Sequence, residues 1–270
     1  MQRITSRQNP LVRRFREISR RRTGGDVVLE GAHLLAEALA SGVPLDVVAF
    51  REPIADETAR LAERARHAGA RTVIVTPPVL DAMSPVRESS GVVAIGRCEP
   101  AGTAQLLGAH ASLILLVDAV QDPGNLGAIV RAAEGCGASG MATGAGTADP
   151  FGWRALRGSM GSAFRVPIAI HADLRCMAQS ARDAGLRVFA TVPRGGTPLP
   201  DADFRQRAAI LLGGEGSGLP DDLIAAADER LTIPMRPPVE SLNVAAAAAI
   251  ILYEAQRQRS NERTSHVAIR

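Results

Sequence analysis

The chain is predicted to be an α/β protein of two domains, a small one over residues 1–96 and a larger one over residues 112–260. Three observations carry this. Short apolar runs of strand length alternate with longer amphipathic stretches along most of the chain. Two of the runs, LILLV (113–117) and AAILL (208–212), are apolar at every position, as strands covered on both faces are. Between the two alternations, residues 97–111 (RCEPAGTAQLLGAHA) keep no period and contain Pro and Gly, which marks a linker.

Residues 4–22 read as an Arg-rich helix with Leu11, Val12, Phe15 and Ile18 at helical spacing, stopped by Thr23, Gly24 and Gly25. VVLEG follows as a strand, AHLLAEALASG as a helix closed by Gly42, LDVVAF as a strand and ADETARLAERARHAG as a helix closed by Gly69. RTVIV, PPVLDAM and SGVVAIG continue the alternation to Gly96. After LILLV, the stretch DAVQDPGNLGAIVRAAEGCG turns helical in its later part, MATG is a short strand, and PFGWRALRGSMGSAF is helical with glycines inside it. VPIAI, HADLRCMAQSARDAG, RVFATV, AAILLGGEGSGLP and LTIPM lead to a closing helix from Val244. Ser241 is placed to cap that helix, whose alanines and Ile250, Ile251, Leu252 and Tyr253 make it apolar on nearly every face, so it is predicted to be buried. Residues 261–270 are a tail.

Hydrophobic residues at 46% and charged ones at 22% fit a globular protein, and no apolar run reaches bilayer length, so a membrane partner is not expected. The amino terminus has no apolar core of the secretory kind. Cys98, Cys136 and Cys176 are odd in number and far apart, which fits a reducing cytoplasm. His33, His67, His110, His171 and His266 stand singly, and no metal is expected. The charge is polarised. Residues 1–22 hold eight arginines against Glu17, about +7, while the whole chain is only +3. Clustered arginine attracts phosphate, so Arg7, Arg13, Arg14 and Arg20 are candidate nucleic-acid contacts; a solvated helix face is the alternative.

Two glycine patterns invite a nucleotide reading. Gly135, Gly137 and Gly140 spell G-x-G-x-x-G, but they end a helix and precede a strand, the reverse of a dinucleotide fingerprint. GGEGSGLP, from Gly213, does follow a strand and surrounds one carboxylate with four glycines, leaving main-chain groups bare for a ligand. Near the end, Ile233, Pro234, Met235 and two further prolines bring a strand end to the positive end of the closing helix at Ser241, Leu242 and Asn243.

Three ordered motifs, DPGNLGAIVRAAEGCG (122–137), LLGGEGSGLP (211–220) and IPMRPPVESLNVAAAAAIILYEA (233–255), together resemble the SpoU (TrmH) family of RNA ribose 2′-O-methyltransferases in the SPOUT superfamily. RGSMGSAFRVP, with Ser159 and Gly161, resembles the family's Ser-x-Gly stretch, and NPLVRRFREI with VVLEGAHLLAEAL is similar to the small substrate-binding domain joined to such enzymes. The resemblance implies a trefoil-knotted carboxyl-terminal domain that binds S-adenosyl-L-methionine through Thr191, Gly214, Glu215, Gly216, Ile233, Met235, Leu242 and Asn243. It puts the family's catalytic arginine at Arg131 and its asparagine at Asn125, with Glu215, Ser241 and Asn243 as further catalytic positions. Arg131 is expected to grip the phosphate beside the target ribose, because a guanidinium stays protonated. The resemblance also implies a homodimer acting on RNA, 23S ribosomal RNA first and tRNA second, with a non-catalytic assembly factor as the rival class. Gly214 departs from the Asn or Ser of many relatives, and Cys136 from an aromatic or bulky apolar residue.

Overall fold

The computed structural model describes residues 1–22, 24–108, 110 and 112–267, without the side chains of 57 and 261–267. Thr23, read as part of a helix stop, and the last three tail residues lie outside that range. In chain order the elements are β1 (Gln2–Ile4), α1 (Pro10–Arg20), β2 (Asp26–Glu30), α2 (Ala32–Ala40), β3 (Leu45–Arg51), α3 (Asp56–His67), β4 (Arg71–Val75), α4 (Pro77–Met83) and β5 (Val92–Arg97). There follow α5 (Thr103–Leu106), β6 (Leu113–Val117), α6 (Pro123–Gly135), β7 (Gly140–Thr143), α7 (Trp153–Ser159), a 3-10 turn at Ser162–Phe164 and β8 (Ile168–Ala169). The chain ends with α8 (Leu174–Asp183), β9 (Arg187–Thr191), β10 (Thr197–Pro198), a second 3-10 turn at Leu199–Asp201, β11 (Ala208–Leu212), α9 (Asp221–Ala225), β12 (Glu229–Thr232) and α10 (Val244–Val267).

These elements form two compact units. The first comprises Met1–Glu99 together with Phe151–Arg165; the second comprises Pro100–Pro150 and Val166–Arg270. Unit 1 holds a five-stranded sheet in the order β1-β4-β3-β5-β2, with β5 antiparallel to both of its neighbours. Its basic helix is shorter than the pattern suggested. The Asn9 side chain accepts the Leu11 N–H at 2.9 Å and Pro10 takes the first helical position, so α1 begins at 10. Residues 2–4 instead add a strand beside β4. Leu11, Val12, Phe15 and Ile18 do form one face, buried against Val28, Val47, Val73 and Leu80.

Unit 2 is built on a seven-stranded, wholly parallel sheet in the order β10-β12-β9-β11-β6-β7-β8. The two all-apolar runs are β6 and β11, adjacent in the middle of the sheet and buried at every position. Ile114, Leu116 and Leu211 pack with Met177 and Leu223 on one face. By strand alternation Leu113, Leu115 and Val117 look to the other. Helices α6 and α10 pack on each other. The closing helix is not covered on every face: Ile250 is 42% and Tyr253 63% exposed, one turn apart and in line with exposed Ala246. Its later turns are clamped by Arg259, which donates to the carbonyls of Phe204, Gln206 and Ser112 at 2.7–3.0 Å. Among the described residues no helix is long and apolar enough to cross a membrane.

Candidate active site

All strands of unit 2 point the same way, so their carboxyl ends share one edge, where the loops of an open α/β sheet leave a crevice for ligands. A cavity of about 520 Å³ opens there. It is lined by the ends of β9, β11 and β12 (Thr191, Leu212, Leu231), by the glycine loop 213–218, by Ile233 and Met235, by Ser241, Leu242 and Asn243 ahead of α10, and by Val244, Ala247 and Ile251 on it. Every one of Thr191, Gly214, Glu215, Gly216, Ile233, Met235, Leu242 and Asn243 lies in that lining, as does Ser241.

The glycine loop is folded tightly on itself, with Gly214 and Gly218 bridged in antiparallel fashion. Gly214 also passes against the turn after β6: a Cβ there would stand 2.1 Å from the Ala119 carbonyl oxygen. Ala119 itself is left-handed, φ 51°, at a cost on the order of 1 kcal/mol for a residue with a Cβ. The close approach gives the physical reason for glycine at this position.

A chain of hydrogen bonds joins the three motifs. At the start of α10, Asn243 Oδ1 accepts the N–H groups of Ala245 and Ala246 at 2.9 and 3.2 Å, so Asn243 caps this helix and the expectation that Ser241 would is corrected. The amide of Asn243 donates to Asn125 Oδ1 at 3.0 Å, and the amide of Asn125 donates to Glu215 Oε1 at 2.7 Å. The other carboxylate oxygen of Glu215 accepts the Gln121 N–H at 3.1 Å. Asn125 is in turn fixed by Asp122, which caps α6 by accepting the Asn125 N–H at 2.7 Å, with Pro123 in the first turn. Partial burial raises the pKa of Glu215, but the hydrogen bonds from Asn125 and from main-chain N–H groups outweigh it and leave the carboxyl below its ordinary value. Glu215 is therefore a fixed anion that orients Asn125, whose amide oxygen in turn receives Asn243.

Arg131 is elsewhere. It lies six residues beyond Asn125 on α6, about 9 Å along the axis and on another side of the helix. It is exposed and outside the cavity lining of its own chain. Gly127, four residues before it and so on the same side of α6, is buried. The Thr191 hydroxyl donates to the Leu211 carbonyl at 2.9 Å, which leaves its methyl and main chain for a ligand. Of the four amino-terminal arginines proposed for nucleic acid, Arg14 is held by Asp26 at 3.0 Å and by Asp46, and Arg13 lies 3.7 Å from Glu17. Arg7 and Arg20 are exposed. Sequence reasoning missed Ala119 and the Gln121 N–H. A left-handed alanine and a main-chain donor leave no trace in residue type.

A parallel sheet with a ligand-sized cavity across adjacent strand ends, walled by main chain and tied by an amide and carboxylate chain, defines an α/β enzyme of the kind that binds a small organic cofactor. The sequence profile of the SpoU rRNA Methylase family matches residues 112–253, and that described as RNA 2′-O ribose methyltransferase substrate binding matches residues 28–97. The chain belongs to the SpoU rRNA methylase family, and is an RNA 2′-O-methyltransferase. It is 35% identical to an uncharacterized tRNA/rRNA methyltransferase of Synechocystis sp., over 95% of this chain and 94% of that one. It is 30% identical to the 23S rRNA (guanosine(2553)-2′-O)-methyltransferase RlmP of Bacillus subtilis, over 94% and 98%. The crystal structure of an AdoMet-bound rRNA methyltransferase from Sinorhizobium meliloti superposes with a TM-score of 0.85 at 29% identity, covering 95% of this chain and 97% of that one.

Proposed function

We propose that the protein transfers a methyl group from S-adenosylmethionine to a ribose 2′-hydroxyl of 23S ribosomal RNA. The observation that carries this reading is the hydrogen-bonded chain Asn243–Asn125–Glu215 at the wall of the glycine-lined cavity. The name of the Bacillus subtilis relative and the AdoMet-bound Sinorhizobium meliloti structure support donor and substrate. The cavity is of a size for a nucleoside, and Gly213, Gly214, Gly216 and Gly218 leave much of one wall as main chain. S-adenosylmethionine, when bound, supplies an electrophilic methyl group.

Gly214 and Gly216 would hold the cofactor through main-chain groups, and Ile233, Met235 and Leu242 would give it apolar walls. Glu215 keeps Asn125 and Asn243 in one orientation, so that their amides and the neighbouring Ser241 position the sugar. Alignment is the main requirement of such a transfer. Arg131 grips the phosphate beside the target ribose and stabilises charge developing on the 2′-oxygen. Because it stands on the outer side of α6, it acts in the site of a second protomer. The exposed Ile250 and Tyr253 on α10, which packs on α6, supply an apolar face for that homodimer. The separate free cysteines accord with a reducing cytoplasm.

The test is titration with S-adenosylmethionine followed by methyl transfer to 23S ribosomal RNA and to tRNA. Transfer to 23S RNA is expected, and Asn125→Ala should lower it by about 100-fold through lost alignment. Transfer to tRNA alone moves the substrate. Cofactor binding with no transfer to either RNA sinks the reading in favour of an assembly factor.

A further inference from the structure

The segment Phe151–Arg165 lies in sequence within the methylase region but folds as part of unit 1. Helix α7 packs against β2. Gly161, at φ 89°, passes so close to α2 that a Cβ would stand 2.7 Å from Glu37 Cβ, and Arg165 donates to Glu37 Oε2 at 2.7 Å and to Ser41 at 3.3 Å. The segment is fastened at its far end to the substrate-binding unit. At its near end the guanidinium of Arg22 lies over the Phe151 ring at 5.2 Å, which joins it to the arginine-rich end of α1.

What this segment turns outward is unusual for a surface helix. Its fifteen residues hold three arginines and no carboxylate. Arg154 and Arg157 are exposed and make no ion pair among the described residues, in contrast to Arg14 and Arg165. Arg154 lies over the ring of partly exposed Trp153 at 5.1 Å. Met160 closes the helix in the left-handed region, φ 52° and ψ 36°, yet is 38% exposed, so no burial offsets a strain on the order of 1 kcal/mol. Strained main chain at Met160 thus stands beside an aromatic ring and two arginines that have no ion pair among the described residues.

We propose that Trp153, Arg154 and Arg157, with Arg20 and Arg21 at the end of α1, form an RNA-contacting surface of the substrate-binding unit. The guanidinium groups take phosphates, and the indole with its stacked guanidinium takes an unpaired base. Unit 1 carries 18 arginines against 12 carboxylates and unit 2 carries 13 against 16, so the complementary charge of a polyanion is met on this unit. The inference rests on the reading of the protein as an RNA methyltransferase and adds a second set of contacts outside the cavity.

The experiment uses the full chain and a 23S RNA transcript. Arg154→Ala/Arg157→Ala should bind RNA about tenfold more weakly, and the slope of log affinity on log salt should shrink by about 1.4 to 1.8, the value of two phosphate contacts. Affinity for S-adenosylmethionine should not change, and an unchanged melting temperature excludes misfolding. Trp153 is the single tryptophan of the chain, so the emission of the unaltered protein is a second readout. RNA should quench it saturably, whereas polyphosphate, which has no bases, should bind without quenching. Unchanged RNA affinity and salt slope in the double variant, or emission that RNA leaves untouched, overturns the proposal. Methyl transfer by the unaltered protein, measured in the same samples, separates that failure from a failure of the reading beneath it.

Discussion

The two units use polar residues in opposite ways. In unit 1 the charge is excessive and spread out: some arginines are tied internally, as Arg3 to Glu52 and Arg14 to Asp26 and Asp46, while others such as Arg20, Arg154 and Arg157 face solvent with no carboxylate partner among the described residues. In unit 2 the net charge is reversed, and the polar groups that matter converge on one wall, where Asn243, Asn125, Glu215 and a main-chain N–H each have a partner within 3.1 Å. A polyanion can be held by several loosely placed cations, because counterion release does not depend on exact geometry. A methyl transfer cannot, since a small misplacement of the reacting atoms costs orders of magnitude in rate. Substitutions in unit 2 should therefore act steeply and one at a time, and those in unit 1 shallowly and in sum.

The steepest effect is expected at Gly214. In Gly214→Asn the new Cβ would meet the Ala119 oxygen at 2.1 Å, and main chain on one side or the other must shift. Since the same backbone walls the cavity and presents Glu215, binding of S-adenosylmethionine should weaken by more than about 100-fold in calorimetry. Near-normal affinity would mean that the wall is pliable, and the contrast between the units would lose its main support.

That position also marks the limit of what could be read in advance. The buried strands β6 and β11 were legible because a run without polar residues has only one comfortable place, the middle of a parallel sheet. The resemblance to the family implies one pocket for Gly214, Glu215, Leu242 and Asn243, and these four do line one cavity because parallel strands deliver their loops to the same side. What could not be read depended on long-range contacts. The left-handed Ala119 is imposed by its surroundings, and the cap of α10 falls on Asn243 rather than Ser241 because Asn243 also bonds Asn125, 118 residues away. The grouping of Phe151–Arg165 with unit 1 arises from Gly161 and Arg165 meeting Glu37, a pairing that no local period announces.

A gentler effect is expected from Glu215. Its carboxyl is held below the ordinary value of 4.5, so whatever it contributes is fully present above that pH and is lost as the pH falls through the lower folded-state value. Cofactor affinity of the unaltered protein should be level above pH 4.5 and decline below it. Glu215→Gln should bind about three- to tenfold more weakly at neutral pH, since one hydrogen bond to an exposed anion is lost, and should lack the acid decline. An acid limb that survives the substitution would assign it to another group.

The smallest effect tests unit 1 from inside. Arg14 and Arg20 stand on the same helix and have the same charge, but Arg14 is held by two carboxylates, whereas Arg20 faces water. Neutralising Arg14 removes a cation whose field is already cancelled and leaves Asp26 and Asp46 near each other, so Arg14→Ala should cost about 1 kcal/mol of stability or less and leave the salt slope of RNA binding as it was. Arg20→Ala should do the reverse, with no change in melting temperature and a slope smaller by about 0.7 to 0.9. If both variants shift the slope equally, carboxylate pairing does not decide which arginines meet the RNA, and the whole positive helix acts as one diffuse charge.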